Sequence, residues 1–365
     1  MSPAQQHEAD GLDARRRGRS RFGLVRLLLA EAAARVLMLS SNSSWRDPER
    51  YGHALVGDDY WLLAGRWDSF CAKIDPRRIH DTLGWTQGPL GPQNPMGLVD
   101  WTTARLRRDG RRKVMFYGDS FVSGHASEAC WLPTLLEERL EGVDVVHLGV
   151  GGYGPDQMHL LARETIGLVD RPEVILMGLL TYSFDRVAQR VRSYQKPVVV
   201  PRSDGTLDVD NVPICRDPRR YFRRTKLSFR SYVRAARRRR EDPPERDDYG
   251  FAGKVELNRA IVRANVRLAR DVGARLVYVL FHDVAELSRM TARRQFFVEA
   301  LAAEGVELID TAPVVLDYAR RQGIDPSELY VNAHHNDLGN RVVCEGLASA
   351  LKSCGLEPRN VGVSA

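Results

Sequence analysis

A serine stands in a glycine-flanked turn of the kind that a nucleophile requires. Residues 117–124 read Tyr-Gly-Asp-Ser-Phe-Val-Ser-Gly and place Ser120 between Gly118 and Gly124. A nucleophilic serine needs a tight turn that lifts its hydroxyl above a sheet edge, small neighbours that admit substrate, and backbone N–H groups that face developing negative charge. The tripeptide Gly-Asp-Ser is also typical of a structural turn or a helix N-cap. The motif alone leaves both interpretations open.

A histidine pair near the other end of the chain supplies candidate general bases. Residues 334–340 read His-His-Asn-Asp-Leu-Gly-Asn, directly before a predicted helix. A loop at a helix N-terminus can hold an imidazole at the same sheet edge as a nucleophile. We predict His334 as the base. His335 is the rival, and it ranks second because it lies only four residues before Gly339. A lone histidine is more often structural or exposed, so it is the combination with Ser120 that favours chemistry.

Five short apolar runs alternate with helical patterns and would position these residues. The runs are residues 114–117, 143–148, 174–180, 275–281 and 306–309. The helical patterns are residues 131–140, 155–164, 254–272, 291–303 and 336–351. Strands that alternate with helices indicate a parallel sheet covered on both faces, with ligands bound outside the carboxyl ends of the strands. We therefore predict an α/β fold, a flavodoxin-like three-layer α/β/α sandwich with a parallel sheet.

The order of the motifs resembles that of the SGNH (GDSL-type) serine hydrolases, a family of esterases and lipases. The turn at Ser120 resembles block I, residues 147–157 resemble block II, and His334 with Gly339 resembles block V of a bacterial branch of the family. The resemblance implies the SGNH hydrolase fold, Ser120 as nucleophile and His334 as base. It also implies that the backbone N–H groups of Ser120 and Gly152 donate to the oxyanion.

The sequence departs from the family pattern at two places outside the predicted pair of Ser120 and His334. Block II often opens with asparagine, and His147 stands there. Block III normally offers an asparagine side chain to the oxyanion hole, but residues 179–186 contain none. Ser183 is the predicted substitute, with Thr181 as the alternative. Loss of one oxyanion donor costs about 10²–10³ in turnover.

A third departure concerns the acid that normally orients the base. Block V usually places an aspartate two or three residues before the histidine, and Asn332 and Val331 stand there. Asn332 can orient the imidazole through its amide oxygen but cannot stabilise an imidazolium by charge, and an Asp-to-Asn change costs about 10⁴ in a model serine protease. The alternatives are a dyad in which a backbone carbonyl orients His334, or an acid from elsewhere, Asp325 or Asp337.

Composition limits the classes of function that the chain can have. Its 365 residues carry a net charge of +7, and the excess lies in arginine runs that resemble solvated loops. No nucleic-acid motif accompanies them, so we expect no nucleic-acid partner. The five cysteines form no CxxC pair, which argues against a disulfide framework or a metal site. We expect no metal and no organic cofactor.

The chain is predicted to have three parts. A disordered basic tail covers residues 1–21, an N-terminal helix and irregular cap cover residues 22–110, and the hydrolase-like domain covers residues 111–355 with an insertion at 185–250. The insertion contains a predicted hairpin, with strands at 198–200 and 207–212 around an Asp-Gly turn.

Charges interrupt the apolar stretch of the predicted N-terminal helix. Arg26, Glu31 and Arg35 lie within it, and each costs about 2.5–3.5 kcal/mol at a bilayer centre. We expect a helix that packs on the protein or lies on a membrane surface, and not one that spans a bilayer. The pattern predicts a cytoplasmic protein, with peripheral membrane contact through this helix as the open alternative.

These observations predict a serine esterase that hydrolyses acyl esters, with O-acetyl esters among the candidates. The substrate would be a small molecule or a carbohydrate ester. One alternative is an O-acyltransferase that uses the same residues with a sugar hydroxyl in place of water. The other is a degenerate, non-catalytic member that binds a carbohydrate or a partner, which the missing asparagine and aspartate favour.

Overall fold

The structure is a computed structural model that describes residues 23–33, 75–98, 111–190, 192, 194–217, 220 and 251–359. The chain forms two compact units, Met1–Asp68 with Arg223–Gly250, and Ser69–Phe222 with Phe251–Ala365. The predicted basic tail and the arginine run at 237–240 lie outside the described residues.

Strands and helices alternate along the second unit. The strands are β1 (Ile79–His80), β2 (Gly84–Trp85), β3 (Arg112–Gly118), β4 (Val143–Gly149), β5 (Pro172–Leu180), β6 (Val198–Pro201), β7 (Leu207–Asp210), β8 (Arg275–Phe281), β9 (Glu307–Asp310), β10 (Tyr330–Val331) and β11 (His334–His335). The helices are α2 (Ser120–Ser123), α3 (Leu132–Arg139), α4 (Pro155–Thr165), α5 (Phe251–Asp271), α6 (Ala292–Ala303), α7 (Thr311–Gln322) and α8 (Asp337–Ala350). Helix α1, residues 23–33, belongs to the first unit.

Five strands form one parallel sheet in the order β4-β3-β5-β8-β9. If only these five strands are numbered, in the order in which they occur along the chain, the order across the sheet is 2-1-3-4-5, which is the flavodoxin-like order. Helices α3, α7 and α8 pack together on one face, and α4, α5 and α6 pack together on the other. The predicted three-layer α/β/α sandwich is confirmed. Its topological switch point lies between β3 and β5, where open α/β sheets bind ligands outside the carboxyl ends of their strands.

The strands form where the chain is mostly apolar, and the few polar side chains in them, such as Asp144 and His147 in β4, are buried. Every residue of β4 is buried, and in β3 only Arg112 is partly exposed. Continuous apolar runs are typical of parallel strands that are covered on both faces. The five sheet strands agree with the predicted runs to within two residues at each end.

Helix α7 is absent from the sequence-based prediction, although its termini carry recognisable signals. The Asp310 side chain caps the first turn by accepting from the backbone N–H of Ala312, and Gly323 ends the helix with a left-handed φ of 67°. An N-cap acid and a C-terminal glycine are standard helix boundaries. Its addition completes the layer that α7 shares with α3 and α8.

The predicted hairpin in the insertion is present. Strand β6 pairs antiparallel with β7, and the Asp204 carboxylate accepts from the backbone N–H of Thr206 across the turn. Strand β7 ends at Asp210, two residues before the predicted end. The next residue, Asn211, has a φ of 60°, a left-handed conformation that takes the chain out of the strand.

Helix α1 exposes its apolar side chains. Leu27 and Leu29 are 63% and 65% exposed. No helix among the described residues is both long enough and apolar enough to cross a membrane. Contact of α1 with a membrane surface stays a prediction.

Candidate active site

The predicted nucleophile lies in a tight turn at the carboxyl end of β3, next to the switch point. Residues 118–124, here called the nucleophile turn, lead from β3 into α2, and Ser120 is the first residue of that helix. The first N–H groups of a helix have no partner within it, so the backbone N–H of Ser120 is available for a ligand. Ser120 itself is 9% exposed.

Three glycines form a row across the sheet beneath α2. Gly118 in β3 is in register with Gly149 in β4 and with Gly178 in β5. A Cβ on any of the three would come within 2.8 Å of a side-chain carbon of Val122. The missing side chains let α2 lie directly on the strand ends, and this contact sets the height of Ser120 above the sheet.

The buried carboxylate of Asp119 fixes the nucleophile turn through hydrogen bonds. It accepts hydrogen bonds from the backbone N–H groups of Phe121 and Leu180, each at 3.0 Å. It also accepts from the Ser183 hydroxyl at 2.6 Å. Leu180 and Ser183 belong to the end of β5 and the 3-10 segment after it, so Asp119 ties the turn to the neighbouring strand.

A buried arginine connects the nucleophile turn to the loop of block II. The guanidinium of Arg186 lies 3.3 Å from the Asp119 carboxylate and donates to the backbone carbonyl of Tyr153 at 2.7 Å. The adjacent Asp185 pairs with two other cations, Lys254 and Arg293. Asp185 and Arg186 therefore support different elements.

The loop after β4 passes beside the serine. A Cβ on Gly151 would lie 4.0 Å from the Cβ of Ser120, and Gly152 has a φ of 84°, a conformation that favours glycine. The Trp85 indole donates to the Gly151 carbonyl at 2.9 Å, and the Tyr153 hydroxyl donates to the Trp85 carbonyl at 2.7 Å. The segment at β2 thus fixes the loop that carries Gly152.

The histidine comes from a two-residue hairpin. Residues 330–335, here called the base hairpin, pair β10 with β11 so that Val331 faces His334. The two turn residues, Asn332 and Ala333, have φ values of 49° and 62°. A turn with both central residues left-handed is typical of tight hairpins, and asparagine suits its first position.

The nucleophile turn and the base hairpin, the two arms of the site, bring their side chains to hydrogen-bonding distance. His334 Nε2 lies 2.8 Å from Ser120 Oγ, and His334 Nδ1 lies 2.8 Å from the backbone carbonyl oxygen of Asn332. Because a carbonyl only accepts, Nδ1 must carry the ring proton. Nε2 is then the acceptor for the serine hydroxyl, which is the tautomer that a general base requires.

The orienting contact comes from a backbone carbonyl, one of the alternatives that the sequence left open. Asn332 contacts the His334 ring through its main-chain carbonyl oxygen and not through its side-chain amide oxygen. Asp337 accepts from the backbone and hydroxyl of Ser127, and Asp325 caps the 3-10 turn at Ser327. Both candidate acids are therefore engaged away from His334.

The candidate substitutes for the block III asparagine are also engaged elsewhere. Ser183 has no exposed surface, and its only proton goes to Asp119. The Thr181 hydroxyl donates to the Glu286 carboxylate. Since each hydroxyl has one proton to give, neither is free for an oxyanion, and the backbone N–H groups of Ser120 and Gly152 are the remaining predicted donors.

His335 points away from the serine into the core. It is 2% exposed, and its Nε2 lies 3.2 Å from the Tyr330 hydroxyl. Its ring packs edge-on against Phe121. Burial, reinforced by the charge of His334, lowers the pKa of His335 to about 3, so it packs as a neutral aromatic residue. His334, and not this rival, contacts Ser120.

His147, at the block II departure, lies beneath the site. It is 3% exposed, its Nε2 lies 3.3 Å from the Gln87 side-chain amide, and its ring meets Trp131 edge-on. No group of three His, Cys, Asp or Glu side chains in the described parts of the chain is arranged to hold a metal ion.

Sequence reasoning missed three features of the site. The glycine row depends on the strand register, and the Arg186 contacts depend on two loops that lie close together only in the fold. The third feature is a contact between the rings of His125 and His334, which depends on the geometry of the two turns. A local signal exists only for the first, because Gly118 and Gly149 each follow an apolar run and Gly178 interrupts one.

Solved structures similar to this chain include esterases and lipolytic proteins. A lipolytic protein of the G-D-S-L family from Veillonella parvula DSM 2008 has a TM-score of 0.37 and 12% identity, covering 66% of this chain and 98% of that one. Axe2, an acetylxylan esterase from Geobacillus stearothermophilus, has a TM-score of 0.39 and 12% identity, covering 67% and 95%. A two-domain esterase (CEX) active on acetylated mannans has a TM-score of 0.39 and 11% identity, covering 69% and 51%.

The G-D-S-L family is also the one that the sequence motifs resemble. No protein-family model matches the chain, and a search of curated proteins returns no match.

Proposed function

We propose that this protein is a serine hydrolase that cleaves acyl esters, O-acetyl esters among them, with Ser120 as nucleophile and His334 as general base. The observation that carries the proposal is the 2.8 Å contact between Ser120 Oγ and His334 Nε2. These atoms are 214 residues apart in the chain. Both lie at the switch point of the sheet, where this type of fold binds ligands.

The proposed reaction follows from the tautomer of His334. Nε2 takes the proton of Ser120 as Oγ attacks the ester carbonyl, and the backbone N–H groups of Ser120 and Gly152 face the oxyanion. The Nδ1–H bond to the Asn332 carbonyl keeps the ring in place. His334 then protonates the leaving alcohol, and it deprotonates the water that releases the acyl group from Ser120.

The test is covalent labelling by a fluorophosphonate probe, combined with turnover of an activated acetyl ester such as p-nitrophenyl acetate. We expect labelling of the wild type and none of Ser120→Ala. His334→Gln should lower ester turnover by about 10³-fold or more, since nucleophile and base act as one unit. His335→Gln, on the adjacent residue, is the matched control and should keep labelling.

The two alternative functions predict different results in the same assay. A non-catalytic binding protein would leave the wild type unlabelled and the ester intact, and this result would refute the proposed hydrolysis. An acyltransferase would label but would release product faster when sugar acceptors are added. Measuring acetate and acetylated sugar side by side separates water from a sugar hydroxyl as the acceptor.

A further inference from the structure

A second imidazole lies against the face of the proposed base. The rings of His125 and His334 stack with their centroids 3.8 Å apart and their planes inclined by 19°. His125 is exposed and follows directly after the nucleophile turn. The stack therefore joins the two arms of the site through a contact separate from that of Ser120 with His334.

The loop that carries His125 is held in a defined conformation. Gly124 has a φ of 90°, and a Cβ there would lie 2.2 Å from the Trp131 indole. The same indole donates to the Ala126 carbonyl at 3.2 Å. Backbone contacts on both sides of His125 thus set where its ring stands, although the residue itself is at the surface.

The reaction creates a charge that the dyad does not neutralise. When His334 takes the serine proton it becomes an imidazolium, and the group at its Nδ1 is a neutral carbonyl instead of a carboxylate. An aromatic face attracts a cation that lies against it. His125 offers such a face at van der Waals distance from the ring that becomes charged.

We propose that His125 is a positioning residue that holds His334 by stacking and stabilises its cationic form during ester cleavage. The inference rests on the proposed function and assigns part of the role of the missing aspartate to an aromatic ring. His125 takes no proton from the substrate and forms no bond to it.

The role requires that His125 be neutral while His334 is charged. Partial burial, followed by the charge of His334, lowers the pKa of His125. Protonation of His334 therefore makes protonation of its stacked neighbour less favourable.

Three variants separate stacking from loop structure. His125→Ala removes the ring, His125→Leu replaces its bulk without an aromatic face, and His125→Phe keeps an aromatic face without titration. We expect the alanine and leucine variants to react with the fluorophosphonate about tenfold more slowly than the wild type. In the ester assay, the same two variants should have a reduced kcat and an unchanged KM. The phenylalanine variant should stay within about threefold of the wild type. Thermal unfolding should be unchanged in all three because the side chain is exposed.

Two results would overturn the proposal while leaving the esterase intact. One is a His125→Ala variant that labels at the wild-type rate, and the other is a leucine variant as active as the phenylalanine variant. A wild type that neither labels nor hydrolyses ester would instead remove the proposed function, and this inference with it.

A measurement that needs no turnover tests the stack directly. In His334→Gln the facing charge is gone, so an NMR titration should show the pKa of His125 rising, although burial, the larger cause, still keeps it below its ordinary value. The control is Ser120→Ala, which keeps both rings and should leave the pKa of His125 lowered. An unchanged pKa in His334→Gln would contradict the stacked arrangement.

Discussion

The nucleophile turn and the base hairpin carry the two reacting side chains, but they are held in different ways. The nucleophile turn lies on three sheet strands through the glycine row, and a buried carboxylate fixes it from below. At the base hairpin, His335 packs into the core, but the tip that carries His334 is held by its own backbone, with two left-handed residues and Val331 42% exposed. Tertiary packing positions the serine, while local turn chemistry positions the histidine.

This difference predicts how each arm responds to substitution. Changes beneath the nucleophile turn remove buried contacts that several elements share, so they should lower the free energy of unfolding. Changes at the tip of the base hairpin leave the core intact, so they should act on rate or produce little effect. The His125 stack, which joins the arms, is expected to change rate without changing stability.

The largest expected effect is at Asp119, beneath the nucleophile turn. Asp119→Ala removes the buried carboxylate that contacts Arg186, and it takes away the acceptor of two buried donors, the Leu180 N–H and the Ser183 hydroxyl. Breaking a buried pair in this way costs about 3–5 kcal/mol of unfolding free energy, measurable by urea denaturation. Asp337→Ala, which removes a solvent-exposed carboxylate, is the control and should change stability little. Equal losses in the two variants would contradict the comparison.

The next effect concerns the buried side of the base hairpin and its response to pH. The pKa of His335 is about 3 in the folded protein and about 6.5 in an unfolded chain. Between these values the unfolded chain binds a proton that the folded protein excludes, so this residue lowers stability as pH falls from about 6.5 to about 3. Between pH 6.5 and pH 4.5 the loss should be on the order of 3 kcal/mol, because each pH unit in this range costs about 1.4 kcal/mol.

His335→Phe isolates that contribution, because it keeps an aromatic ring and removes the titration. The variant should gain stability relative to the wild type as the pH is lowered, in urea unfolding at pH 7, 5.5 and 4.5. His159, another buried histidine with a pKa lowered to about 4, is present in both proteins, so its contribution cancels in the difference. A stability difference that does not change with pH would show that His335 titrates normally.

The same contrast explains what the sequence could predict. The sheet and most helices follow from apolar periodicity, and strand β8 agrees with its predicted run at both ends. Ser120 and His334 were predicted because turn glycines and a helix start leave local signals. The Asp119 contacts with Leu180 and Ser183 were not predicted, since they depend on which strand lies beside β3. Strand order is a property of the assembled sheet and leaves no periodic pattern.

The smallest expected effect is at Asn332. Substitutions there test whether the side-chain amide or the backbone carbonyl of this residue orients the base. Asn332→Gly keeps the left-handed turn and the backbone carbonyl but deletes the amide side chain, so kcat/KM for the acetyl ester should stay within about threefold of the wild type. Asn332→Ala also keeps the carbonyl but replaces asparagine, which tolerates a left-handed backbone, with a residue that at a φ of 49° costs about 1–2 kcal/mol relative to glycine. If the amide oxygen were the orienter, both variants would lose turnover to the same large extent. Because the observed contact is to the main chain, the two should instead differ from each other in stability while both retain activity.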